Sequence, residues 1–309
     1  MNRGGKLHAL LATARIANVP SVICNVWVGV VLGRIFGLSV MGGEIWIFAS
    51  LLATAGVLLY VGGNFFNDWM DRGWDEKHRP ERALPRGLFP AGFYLGAAVV
   101  LMAGGVVLAG MARSQAAWVA AAIVFWILVY TVFHKRTAWA VIPMGLCRAL
   151  LPVMGTMAFF PFIDHVWPMA AALFCYIMGL TLSARYEAMP ATPKQVAVMA
   201  RGLLLATAAF TAWAARDLYL GQWLAVAGVL PYLEWTSLTL RIWRKPVPVL
   251  VSRLLAGIPW VDGMILLPLG ARMDWLSSEP VPGMGAVCLL LPPLAFVSAL
   301  LLQRLAPAT

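Results

Sequence analysis

The chain has 309 residues, 61% of them apolar and only 12% charged, with a formal net charge of +10. Soluble globular chains carry roughly 25% charged residues, so a water-soluble globular protein is excluded and the chain reads as a polytopic membrane protein. The basic residues are scattered over short gaps and form no stripe interleaved with aromatics, which excludes nucleic acid as a partner.

Ten apolar runs follow one another, at approximately 17–37, 45–63, 90–111, 115–133, 139–160, 166–184, 196–215, 219–240, 249–270 and 284–303. Each is long enough as a helix to cross a hydrocarbon core of roughly 30 Å. Each must be helical, because lipid offers backbone polar groups no partner. The expected fold is all-α, a polytopic transmembrane helical bundle in one domain over 1–309. It has ten helices, or nine if the ninth run is re-entrant. The first run lacks a small-residue cleavage site, so no cleaved signal peptide is expected.

Lys and Arg are distributed unevenly between alternate gaps, eighteen on one side against four on the other. By the positive-inside rule the rich side, with both termini and the gap after the second run, is cytoplasmic. A bacterial inner membrane, with membrane lipids as surroundings, is the expected location. Cys24, Cys147, Cys175 and Cys288 all lie inside apolar runs without metal-ligand spacing and read as buried small hydrophobes.

The gap after the second run carries the densest charge, NFFNDWMDRGWDEKHRPERALPRG over 64–87. Asn67, Asp71 and Asp75 recur every four residues, with Asn64 and Asp68 close to the same stripe if the segment is helical. Clustered carboxylates repel unless a cation joins them, and Mg²⁺ takes a few carboxylates together with substrate phosphate. Lys77, Arg79, Arg82 and Arg86 follow around Pro80, Pro85 and Gly87. Arginine forks match phosphate oxygens, and the prolines and glycine turn the chain back toward the bilayer. Acid followed by base suits a metal-bound diphosphate. The plainer alternative is a solvated loop with Asp68/Arg72 and Arg72/Glu76 paired at i,i+4.

NDxxDxxxD followed by RPxRxLPxG, after the second of about nine or ten spans, resembles the first signature of the UbiA superfamily of intramembrane prenyltransferases. The resemblance implies Mg²⁺ held by Asn67, Asp71 and Asp75 with Asp68 assisting. It also implies a prenyl diphosphate donor contacted by Lys77, Arg79, Arg82 and Arg86, and transfer of the prenyl group to an aromatic or other lipophilic acceptor.

Family members carry a second aspartate-rich motif after the sixth helix, where this chain has GLTLSARYEAMPATPKQ. That stretch offers Glu187 as a metal ligand and Arg185 and Lys194 as phosphate contacts, with no aspartate. Either one carboxylate suffices, or the chain is a non-catalytic UbiA-like protein that binds or moves an amphipathic metabolite.

Ionisable groups within spans are costly and so are site candidates. Arg148 serves a phosphate or acceptor, or pairs with Asp262. Asn18 and Asn25 line a cavity or bond between helices. Asp262 and Glu234 lie near run ends and read as structural. Tyr130, Tyr176 and Tyr186 are candidates to face a cavity and steady a carbocation by cation–π attraction.

Overall fold

The computed structural model describes residues 3–36, 44–157, 159, 164, 166–185, 193–215, 222–243, 245–271 and 281–306. Among them there is no strand. Eleven helices run α1 (Arg3–Thr13), α2 (Val19–Phe36), α3 (Glu44–His78), α4 (Ala91–Ala112), α5 (Ser114–Phe133), α6 (Val141–Thr156), α7 (Val166–Ala184), α8 (Lys194–Ala215), α9 (Gln222–Ile242), α10 (Val247–Gly270) and α11 (Met284–Leu305). Nine helical segments among the described residues are long and apolar enough to cross a membrane. The 21-residue α9 lies between two of them and packs on α10.

The helices sort by how they meet their surroundings. In α2 and α10, 78% and 72% of the most apolar stretch is buried, whereas in α4, α5, α8 and α11 the share is between 22% and 28%. These outer helices are apolar on all sides, as lipid-facing spans must be. Trp118 on α5, Val100 on α4 and Leu205 on α8 point outward without covering. Inside them, α2, α6, α7 and α10 form the core of the bundle.

Glycine sets the closest approach. A Cβ on Gly29 would fall on the Pro152 carbonyl, and one on Gly155 would fall on the Val26 carbonyl. Small residues let membrane helices pack backbone against backbone. The α2–α6 contact made this way brings Ser21 and Asn25 against Arg148, about two turns earlier on α6. Asp262, expected near a helix end, is instead fully buried in the interior of α10. It accepts from Asn25 at 2.6 Å, because the bundle core supplies the polar partner that makes its burial tolerable.

The helix α3 is the element that positions the site. Its 35 residues extend about 52 Å at 1.5 Å per residue, well beyond a hydrocarbon core of roughly 30 Å. The acidic motif therefore rides on a rigid helical extension, with no break between the second apolar run and Asp75. The helix stops before Pro80. The turn that follows is closed by Arg86 N–H to Arg82 O, Gly87 N–H to Leu84 O and Leu88 N–H to Ala83 O. Gly87 adopts φ 66°, a left-handed conformation that glycine takes without a Cβ penalty.

Candidate functional site

A cavity of about 530 Å³ opens between α3, α5, α6, α7 and α10. One stripe of α3 forms its longest wall: Gly56, Tyr60, Gly63, Asn64, Asn67, Asp71 and Asp75. The order along the helix is apolar, then amide, then acid. Opposite stand Ile123, Ile127 and Tyr130 of α5, Met144 and Leu151 of α6, Ile177 and Leu180 of α7, and Leu255 and Ile258 of α10. The charged side chains gather at one end, the mouth, and most of the remaining wall is apolar.

Four segments converge on that mouth: Arg15 ahead of α2, the end of α3, His134 and Lys135 just past α5, and Arg185 just past α7.

Asp71 and Asp75, one turn apart, are both buried. Arg82 on the turn beyond α3 donates from Nη1 to Asp75 Oδ2 at 2.9 Å and to Asp68 Oδ1 at 3.3 Å. Asp71 is held between His134 Nε2 at 3.2 Å and Lys135 Nζ at 2.9 Å. The i,i+4 pairing of a solvated loop does not form. Arg72 points away, bonding the Trp69 carbonyl and stacking on its ring, and Asp68 turns to Arg82 instead.

Arg15 completes the wall from the break between α1 and α2. Its Nη1 donates to Asn64 Oδ1 at 2.9 Å and its Nη2 to Asn67 Oδ1 at 3.3 Å. Its backbone is left-handed, φ 46°, a conformation that costs a non-glycine residue about 1 kcal/mol and points to a functional constraint. Burial opposes its charge, but Asp68, followed by Tyr60, Tyr130 and Asp71, holds its pKa above the ordinary arginine value.

Arg79 and Arg82 line the mouth, while Lys77 and Arg86 are exposed and off the cavity wall. Arg185 lines it too, and its Nη1 bonds the carbonyls of His134 at 3.1 Å and Thr137 at 2.9 Å, strapping the turn that carries Lys135. Lys194 begins α8, exposed and away from the cavity. Glu187 and Tyr186 lie outside the described residues. Of the tyrosines singled out, Tyr130 lines the cavity and Tyr176 is buried elsewhere, donating to the Leu254 carbonyl at 2.8 Å.

Sequence reasoning did not pick out Arg15, His134 and Lys135 as site residues. Arg15 and Lys135 carry a signal only as basic residues at the ends of the first and fourth apolar runs, where they bear on topology, and His134 carries none.

Among the described residues no three His, Cys, Asp or Glu side chains converge closely enough to hold a metal alone. The donor set nonetheless fits Mg²⁺ bound together with a ligand phosphate, which asks for one or two carboxylates. Asp71 and Asp75 supply two, and Asp75 Oδ1 is buried without a partner. The Asn67 side-chain amide N–H is also buried without a partner, a donor suited to a phosphate oxygen. Five basic side chains (Arg15, Arg79, Arg82, Lys135, Arg185) stand around three carboxylates, an excess suited to a polyanion.

Comparison with known families decides what kind of protein this is. The sequence pattern of the UbiA prenyltransferase family matches residues 26–261. The chain belongs to the UbiA prenyltransferase family. No curated protein matches it. Three solved structures share the fold. One, reported for digeranylgeranylglyceryl phosphate synthase in membranes, is 14% identical with a TM-score of 0.52, covering 96% of this chain and 98% of that one. A UbiA homolog from Aeropyrum pernix K1 is 17% identical with a TM-score of 0.51, over 93% and 98% of the two chains. A UbiA homolog from Archaeoglobus fulgidus, bound to GPP and Mg²⁺, is 13% identical with a TM-score of 0.50, over 96% and 99%. Family membership and the apolar helices together support an integral membrane protein of prenyltransferase type.

Proposed function

We propose that this chain transfers a prenyl group from a Mg²⁺-bound prenyl diphosphate to an aromatic or other lipophilic acceptor within the membrane, with the acidic motif on the cytoplasmic side. The observation that carries the proposal is the cavity: carboxylates and a ring of cations at one end, and a largely apolar channel behind them. From Asp75 to Gly56 the channel follows 19 residues of α3, about 28 Å at the helical rise, which suits a charged head and a long hydrocarbon tail. The Archaeoglobus homolog that binds GPP and Mg²⁺ supports this choice of donor.

In this reading Asp71 and Asp75, with Asn67 and Asp68 assisting, hold Mg²⁺, whose chemistry is to neutralise charge on the leaving diphosphate. Arg79, Arg82 and Lys135 bind diphosphate oxygens, and Arg15 fixes the Asn64 and Asn67 amides. Lys77, Arg86 and Lys194 are left without a role because they stand off the cavity. Glu187 is retained as a ligand from the second motif. The prenyl C1–O bond breaks with its electron pair going to the diphosphate. The acceptor's electron pair then bonds to the allylic cation, and the acceptor's proton passes to the released diphosphate. Ile127, Met144 and Leu180 keep water from the cation, and the Tyr130 ring offers it a π face. Preorganised charge at the mouth is the main catalytic contribution.

A second reading is favoured by one observation. The stretch GLTLSARYEAMPATPKQ contains one carboxylate where the family pattern has paired aspartates, which suits a protein that binds a diphosphate lipid without cleaving it. Purified protein is incubated with labelled geranyl, farnesyl or geranylgeranyl diphosphate and a lipid extract. Mg²⁺-dependent release of diphosphate, with products heavier by a prenyl increment, is expected. Binding of the donor without release would assign the chain to the second reading.

A further inference from the structure

His134 stands just past α5 on the cavity wall, beside Asp71 of α3. The residue is held on three sides. Nδ1 lies 3.0 Å from the Thr131 carbonyl, the Tyr130 ring stacks on the imidazole with centres 5.0 Å apart, and the His134 backbone carbonyl accepts from Arg185 Nη1 at 3.1 Å. Nε2 is turned to Asp71 Oδ2 at 3.2 Å, while Lys135 takes the other carboxylate oxygen, Oδ1, at 2.9 Å.

A carbonyl can only accept, so Nδ1 carries the proton, and Nε2 of the neutral ring is a lone pair aimed at a carboxylate. Two such acceptors stay together only with a cation between them, a proton or a metal ion. Metal-binding histidines donate their other N–H to a backbone carbonyl or carboxylate, which fixes the tautomer and aims the free nitrogen. The Thr131 contact is of that kind. Adjacent donors around an octahedral ion, each about 2.1 Å from it, lie about 3 Å apart, close to the separation of Nε2 and Oδ2. Two protein donors do not make a site alone, in keeping with the absence of a three-residue cluster among the described residues; diphosphate oxygens complete the shell. A nitrogen donor favours divalent transition metals, whereas Mg²⁺ takes oxygen.

We propose that His134 Nε2 is a ligand, beside Asp71, of the metal that binds with the diphosphate, and that it biases the mouth toward a divalent transition metal such as Mn²⁺ over Mg²⁺. The inference rests on the metal–diphosphate reading above and adds to it a nitrogen donor from outside the acidic motif.

The test is pulsed electron paramagnetic resonance of Mn²⁺ bound to the full chain in nanodiscs with inorganic diphosphate. An imidazole nitrogen coupling is expected on the Mn²⁺ signal, changing pattern when histidine carries the heavy nitrogen isotope and disappearing in His134→Gln. In the same samples His134→Gln is expected to lower the Mg²⁺ concentration that displaces half of the Mn²⁺ by about tenfold, the scale of a change in the ligand surroundings. Bound Mn²⁺ without histidine coupling, or coupling that survives in His134→Gln, would overturn the ligand and leave the metal–diphosphate reading in place. Absence of bound Mn²⁺ from wild type saturated with diphosphate would remove both. If His134→Gln does not fold, the isotope change in the wild type decides, because among the described residues His134 is the histidine that lines the cavity.

Discussion

Arg82 reaches back across the turn after α3 to place Nη1 2.9 Å from Asp75 Oδ2, folding the basic half of the 64–87 segment onto its acidic half. With its side chain only 2% exposed, Asp75 depends on that partner. Breaking a fully buried pair costs about 3–5 kcal/mol, and the partial exposure of Arg82 lowers the expectation to about 1–3 kcal/mol. Arg82→Ala should therefore lower the melting temperature in EDTA, and Mg²⁺ should recover part of the loss by meeting the same carboxylate. Thermal unfolding in both buffers checks this, and an identical loss with and without Mg²⁺ would separate Asp75 from metal binding.

Lys135 stands 2.9 Å from Asp71 Oδ1 and 3.9 Å from the centre of the Trp74 ring. A ligand that engages Asp71 releases Lys135 toward phosphate and so removes a cation from the indole face. Mg²⁺–diphosphate should change the tryptophan fluorescence of the wild type and leave that of Trp74→Phe unchanged. A full-sized change in Trp74→Phe would show that Lys135 does not make this exchange.

Gly155 packs on the α2 backbone at Val26, and this approach aligns Asn25 with Arg148. Gly155→Leu forces the helices apart, and overpacking of this kind costs typically 1–3 kcal/mol or more. Reduced yield of folded protein and a lower melting temperature are expected, measured by size-exclusion chromatography and thermal unfolding. Gly73, where an added Cβ meets nothing within 4 Å, should accept alanine without loss.

Much of the architecture was legible because membrane spans announce themselves by length and apolarity, and their order by charge asymmetry. The acidic stripe was legible because Asn67, Asp71 and Asp75 keep helical spacing, and α3 does continue through them. Contributions from distant segments were not. Arg15, His134 and Lys135 look like ordinary helix-end charges until the bundle closes and brings them to the mouth. Asp262 looked peripheral because a sequence position does not reveal that Asn25 and Arg148 lie beside it. The basic residues after Asp75 form one group by spacing, yet the turn directs Arg79 and Arg82 inward and leaves Lys77 and Arg86 outside, a division fixed by backbone geometry.

The proposed function requires that Asp71 and Asp75 grip a diphosphate through Mg²⁺. Calorimetric titration of the purified chain with geranyl diphosphate, with and without Mg²⁺, tests it most directly. Binding is expected only with Mg²⁺, and Asp71→Ala and Asp75→Ala should each weaken it by about a hundredfold, the loss of a charged metal contact of roughly 3 kcal/mol. Binding that is independent of Mg²⁺, or unchanged in both variants, would rule out a metal-mediated grip by these two carboxylates.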